Sequence, residues 1–138
     1  MQKYYLDASI WRDYYENRSD KFRPLGEWAL LFLNSVIDHK DFILYSDLVV
    51  HELAVKYSEK EIGQILMTIM RHGLLIKVRI SKGQAYEAKK LSKEKNVPFA
   101  DAIHAILARD NCAILVTRDK HFNCVAHLID VRKPEELI

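Results

Sequence analysis

Asp7, Glu52, Asp101 and Asp119 are spread along a chain of 138 residues, and together they have the chemistry of a divalent-metal site. Carboxylates are hard oxygen donors of the kind that Mg²⁺ or Mn²⁺ selects. Two carboxylates about 5 Å apart repel by roughly 3 kcal/mol at an effective dielectric of about 20, so four that converge cannot all stay ionised unaided. A dication reverses that sign and activates water for phosphodiester hydrolysis. The expectation is metal-assisted phosphodiester hydrolysis by an activated water. Asp7 and Asp101 would hold the metal, with Asp119 and Glu52 completing the site or positioning water.

Each acid also has a structural explanation. Asp7 ends the apolar run Tyr4-Tyr5-Leu6 and could simply cap a helix starting near Ile10. Asp119 follows the apolar run Ala113 to Val116 and could cap the turn Lys120-His121-Phe122. Asp101 falls in the first turn after Pro98, where the helix dipole favours a carboxylate by about 0.3–1 kcal/mol. Glu52 lies between Leu48 and Val55 within a helix, so capping does not explain it. Thr117 should face the same side as Asp119, close enough to orient a ligating carboxylate or a water. His104 reads as a packed or hydrogen-bonding neighbour of the acids, His121 as a loop residue, and Glu87, with Lys90 at i+3, as an ordinary surface carboxylate.

Alternating elements would have to bring these residues together. Tyr4 to Leu6 predicts a strand, followed by a helix start at Ile10 to Glu16. Leu25 to Ile37 has helical spacing, and Phe42 to Tyr45 is a short buried strand. Ser46 offers an N-cap for a helix over Asp47 to Tyr57. Ser58 and Glu61 form a capping-box pattern for the next helix, which Gly73 closes. Leu74 to Ile80 alternates as a strand with one polar face, suited to a sheet edge. Helices follow over Gln84 to Lys95 and Pro98 to Asp110, then strands over Ala113 to Val116 and Leu128 to Val131. Such alternation predicts an α/β protein with a mostly parallel sheet covered on both faces.

Composition narrows the possibilities further. Hydrophobic residues make up 49% of the chain, with only four Gly and three Pro, as in an ordinary globular domain. A single domain over residues 1–138 is expected, able to bury roughly 68% of its unfolded surface. The longest apolar run, Trp28 to Leu33, is far short of the roughly 20 residues a membrane span needs. With no signal-peptide pattern either, a cytoplasmic location is expected. Cys112 and Cys124 lack metal-ligand spacing and read as buried reduced thiols. No phosphate-binding glycine loop, nucleophile elbow or zinc spacing is present. The net charge of +2 conceals an asymmetry: residues 56–95 hold ten Lys/Arg against four Asp/Glu, leaving eleven against fifteen elsewhere. That basic stretch is either a surface for a nucleic-acid backbone or a solvated helix face.

In four segments the sequence resembles the PIN domain family, particularly the single-domain ribonuclease toxins of the VapC type. These are Tyr4-Tyr5-Leu6-Asp7-Ala8-Ser9, Ser46-Asp47-Leu48-Val49-Val50-His51-Glu52-Leu53, Phe99-Ala100-Asp101-Ala102-Ile103-His104-Ala105 and Leu115-Val116-Thr117-Arg118-Asp119-Lys120-His121-Phe122. The resemblance implies a three-layer α/β/α PIN-like fold with a five-stranded parallel sheet, and Asp7, Glu52, Asp101 and Asp119 as the acidic site. It places Ser9 and Thr117 where supporting hydroxyl side chains are found. It further implies a metal-dependent endoribonuclease acting on RNA, a homodimer and a cognate antitoxin. A housekeeping RNA-processing nuclease and a non-catalytic RNA- or protein-binding module remain the alternatives. No further carboxylate follows closely after Asp119, where His121 and Asn123 stand, which leaves one metal ion or two open.

Overall fold

The central strands have no polar face. Tyr5 and Leu6, Ile43 and Leu44, and Leu115 and Val116 are all essentially inaccessible to solvent, the condition of strands covered by helices on both sides. A computed structural model describes all residues, Met1 to Ile138. Its elements run β1 (Lys3–Leu6), α1 (Ala8–Glu16), α2 (Leu25–His39), β2 (Phe42–Tyr45), α3 (Asp47–Ala54), α4 (Glu59–Met70), β3 (Leu75–Lys77), α5 (Lys82–Lys95), α6 (Phe99–Asp110), β4 (Ile114–Val116) and β5 (Val131–Arg132). Two 3₁₀ segments, Lys120–Val125 and Pro134–Leu137, complete the chain. No helix is long and apolar enough to cross a membrane.

The five strands form one parallel sheet in the order β3-β2-β1-β4-β5. The chain builds outward from β1 in one direction through β2 and β3, then returns to add β4 and β5 on the other side. Strand order therefore reverses between β1 and β4, and their carboxyl ends open the crevice where α/β sheets bind ligands. The backbone N–H of Asp7 still donates to Val116 at 3.1 Å, so β1 is held to its neighbour up to the residue that enters that crevice.

Most element boundaries follow local chemistry. Ser58 and Glu61 form the expected capping box, and a second one, Ser81 with Gln84, starts α5 two residues before the predicted Gln84. Gly73 takes a φ of 71° in the turn after α4, a conformation that suits glycine. The polar-faced strand is at the sheet edge as expected, but it is shorter than Leu74 to Ile80. Only Leu75–Lys77 pairs, because β2, its sole neighbour, ends at Tyr45. The last strand is Val131–Arg132 rather than Leu128–Val131, set by its register with Leu115 and Val116. The first helix after β2 stops at Ala54, short of Tyr57.

Three side-chain expectations are corrected. Both cysteines are exposed: Cys112 occupies a left-handed turn position after α6, and Cys124 lies on the outside of a 3₁₀ turn whose buried positions are Phe122 and Val125. Ser46 occupies the N-cap position of α3 but makes no cap hydrogen bond, since its hydroxyl is engaged by Tyr5. Glu87 pairs with Arg109 through two contacts of 2.5 and 2.8 Å, tying α5 to α6, rather than with Lys90.

Helix α2 packs extensively along α1, and its first turn comes closest to the chain just after α1. The backbone N–H of Gly26 donates to Arg18 at 2.8 Å, and a methyl group at Gly26 would sit inside the van der Waals envelope of the Asn17 backbone. Gly26→Ala is therefore expected to destabilise the fold by about 1–3 kcal/mol, since backbone cannot rotate aside as a side chain can. Urea denaturation measures this, and a variant as stable as wild type would show that the two helices can separate freely.

Candidate active site

The four acids line one open cleft of about 840 Å³ at the carboxyl edge of the sheet, together with Ser9, Arg12, Lys56 and Arg118. Parallel topology explains the convergence. Asp7 and Asp119 follow adjacent strands, β1 and β4; Glu52 lies on α3, which begins immediately beyond β2; and Asp101 lies in the first turn of α6, the helix that leads back to β4. The acids fall into two groups. Asp7 and Glu52 bring their oxygens within 4.8 Å of each other and of a ring nitrogen of His104, while Asp101, Asp119 and His121 form a second group on the same criterion.

Asp7 is buried and firmly oriented. One carboxylate oxygen accepts the Thr117 hydroxyl at 2.8 Å and the Ser9 hydroxyl at 3.1 Å, and the other accepts the Ser9 backbone N–H at 3.4 Å. Thr117 also accepts the backbone N–H of Asp119 at 3.0 Å, so one hydroxyl joins the ends of β1 and β4. Asp119 accepts the His121 backbone N–H at 2.9 Å. Asp7 and Asp119 thus cap their own helical turns, as their local settings suggested, while also facing the cleft.

Asp101 carries the electrostatic strain. Its carboxyl is pushed up to about 6 by burial first, and then by the negative charges of Asp119 and Asp7. The helix-start position should lower this value, but the dipole contributes only about 0.3–1 kcal/mol and is outweighed.

Glu52 is held from behind by a buried relay. Nε2 of His104 lies 2.5 Å from Glu52, Nδ1 of His104 lies 2.7 Å from the Tyr5 hydroxyl, and that hydroxyl lies 2.7 Å from Ser46. Tyr5, Ser46 and His104 are completely buried. One arrangement gives every buried proton an acceptor: Ser46 donates to Tyr5, Tyr5 to Nδ1 of His104, and Nε2–H to the Glu52 carboxylate. Burial also pushes the Tyr5 phenol well above its ordinary value, consistent with a hydroxyl that keeps its proton.

Sequence reasoning identified His104 as a hydrogen-bonding neighbour but missed its partners. The available signals were periodic: Tyr5 and Asp7 share a strand face, and His104 follows Asp101 by one helical turn. It also missed Arg118, whose guanidinium makes a two-pronged pair with Glu135 at 2.9 and 2.7 Å, lies 3.5 Å from buried Asp13, and sits 5.5 Å from the centre of the Trp28 ring. Of the ten cations in residues 56–95, only Lys56 lines the cleft.

The family model described as the PIN domain matches residues 4–128. The chain belongs to the PIN domain family. Solved structures resemble this PIN domain over nearly its whole length. A toxin–antitoxin complex from Klebsiella pneumoniae superposes with a TM-score of 0.66 at 23% identity, covering 94% of this chain and 96% of the other. VapBC2 from Rickettsia felis, bound to a DNA fragment from its promoter, gives 0.66 at 19% identity, covering 95% and 98%. FitAcB from Neisseria gonorrhoeae gives 0.59 at 16% identity, covering 95% and 97%. At these identities the likeness is one of fold. No curated protein sequence matches this PIN domain.

Proposed function

We propose that this chain is a divalent-metal-dependent endoribonuclease and the toxin of a toxin–antitoxin pair, folding as one unit over its 138 residues. The observation that carries the reading is the raised carboxyl of Asp101 among three other acids in one cleft. A carboxyl raised by burial and by the charges of neighbouring acids fits a site for a cation, and an oxygen-rich donor set fits Mg²⁺ or Mn²⁺. Asp7, Asp101, Asp119 and Glu52 would hold the ion. When bound, such an ion supplies positive charge to the phosphodiester and lowers the pKa of water to allow attack near neutral pH.

The protein's own groups divide the remaining tasks. Ser9 and Thr117 fix the direction of the Asp7 lone pairs. His104, donating from Nε2, aims Glu52 toward the cleft, where it completes the site or positions the attacking water. Arg12, Lys56 and Arg118 also line the cleft, each already paired with a carboxylate: Arg12 and Lys56 with Glu16, and Arg118 with Glu135 and Asp13. The toxin assignment and a cognate antitoxin are supported by the toxin–antitoxin complex among the structural neighbours, and a homodimer is proposed from the family resemblance alone.

Incubation of single-stranded RNA with the purified protein across Mg²⁺, Mn²⁺ and Ca²⁺ tests the function. Cleavage is expected with Mg²⁺ or Mn²⁺, stopped by EDTA, and reduced about 10²–10³-fold by Asp7→Asn. Wild-type rates in that variant would remove Asp7 from the mechanism, and binding without turnover under every metal would favour a non-catalytic module.

A further inference from the structure

The acidic cleft shares a wall with a second pocket of opposite character. Arg118 and Asp119 line both, and beyond them a pocket of about 410 Å³ opens at the carboxyl ends of β4 and β5. Five of its lining side chains are cationic, against two carboxylates, Asp119 and Glu136. The three arginines are already neutralised: Arg23 pairs with Asp20, Arg118 with Glu135 and Asp13, and Arg132 with Asp130 at 2.7 Å. Lys120 and Lys133 enter no ion pair, and the Asn123 side-chain amide has no protein partner. Paired guanidinium groups stiffen the pocket, whereas unpaired ammonium groups are free charges for a ligand.

We infer that this pocket is a phosphate subsite in which Lys120, Lys133 and Asn123 hold a backbone phosphate of single-stranded RNA next to the bond lying over the acids. The inference rests on the nuclease reading of the adjoining cleft. Four carboxylates repel a polyanion, so the attraction that brings RNA there has to come from beside the acids. A strand with one phosphate over the cleft carries its neighbouring phosphates past the shared Arg118–Asp119 wall. A concavity of this volume admits one nucleotide and not a double helix. The basic segment 56–95 contributes no lining residue.

The Asp101→Asn protein, blocked in turnover, provides the test. Anisotropy of a fluorescein-labelled oligouridylate is measured in Mg²⁺ over a range of salt concentrations. Lys120→Gln with Lys133→Gln is expected to weaken binding roughly tenfold at low salt and to make the log–log salt slope shallower by about 1.4, at about 0.7 per single-strand phosphate contact. Lys60→Gln with Lys82→Gln, the same charge removed from the basic segment, is expected to change neither. An unchanged slope in the first pair, or equal losses in both, overturns the subsite and leaves the pocket to an acidic protein segment. Cleavage of the same RNA by the wild-type protein is read separately. If binding follows Lys120 and Lys133 but no cleavage occurs under any metal, the nuclease reading fails while the subsite stands.

Discussion

With metal removed at neutral pH, Asp101→Asn is expected to melt several degrees above the wild-type protein, and with metal restored to lose cleavage by roughly 10³-fold. Both effects have one cause. Burial, Asp119 and Asp7 raise the Asp101 carboxyl to about 6, against about 3.9 in an unfolded chain. A raised native value means that the folded state binds this proton more tightly. The resulting stability is complete below about pH 4 and is lost as pH rises through about 6, so at neutral pH the ionised group opposes folding. Asparagine keeps the shape and removes the charge. Toward about pH 4 the melting temperatures of the two metal-free proteins should therefore converge. Mg²⁺ should raise the melting temperature of the wild type more than that of the variant, because binding to the native state relieves a repulsion the variant lacks. Melting curves with EDTA, with and without added Mg²⁺, measure all of this. A variant less stable than wild type at neutral pH would mean that Asp101 makes a favourable contact outweighing its repulsion.

Tyr5→Phe is expected to lower kcat about 10–100-fold with little change in KM, although Tyr5 lies outside the cleft. Removing the hydroxyl takes away the donor to Nδ1 of His104 and the acceptor of the Ser46 proton. The unmet groups are completely buried, so a stability loss of about 1–3 kcal/mol should accompany the change. The kinetic effect arises because His104 no longer has its tautomer fixed. A ring protonated at Nδ1 turns a lone pair toward Glu52, and the carboxylate loses the donor that aimed it. His104→Leu should show the same fall in kcat, and His104→Gln, whose amide can donate, should recover part of it. Steady-state kinetics and imidazole ¹⁵N shifts read the two consequences independently. Wild-type kcat in His104→Leu would reduce the relay to packing.

The sequence exposed features set by neighbouring residues and concealed those that depend on distant pairing. The order of strands and helices, the Ser58–Glu61 capping box and the edge position of the polar-faced strand follow from short-range pattern, and the structure contains them. That the four acids share a cleft was legible because three of them lie near a strand end or helix start in an alternating chain, and Glu52 lies on the short helix that follows β2. The partners of Ser46 were not legible: a serine before a helix normally caps it, yet this hydroxyl meets Tyr5, 41 positions earlier. The two-residue β5 takes its boundary from β4 rather than from its own pattern. A charge total over residues 56–95 also sums side chains that point in different directions. It misses that Lys77 is paired with Asp47, and that the unpaired lysines near the acids, Lys120 and Lys133, belong to the stretch with the negative total.

The reversal of strand order between β1 and β4 also constrains when the protein can become active. Chain emerging from a ribosome can pair β1, β2 and β3 while Asp101 and Asp119 are still unmade. Truncated or stalled products ending before α6 carry Asp7 and Glu52 but neither Asp101 nor Asp119, and they lack the Thr117 hydroxyl that orients Asp7. Only insertion of β4 beside the oldest strand joins early and late residues. If the proposed nuclease reading holds, a nascent fragment would lack part of its site, and activity would wait for the finished chain.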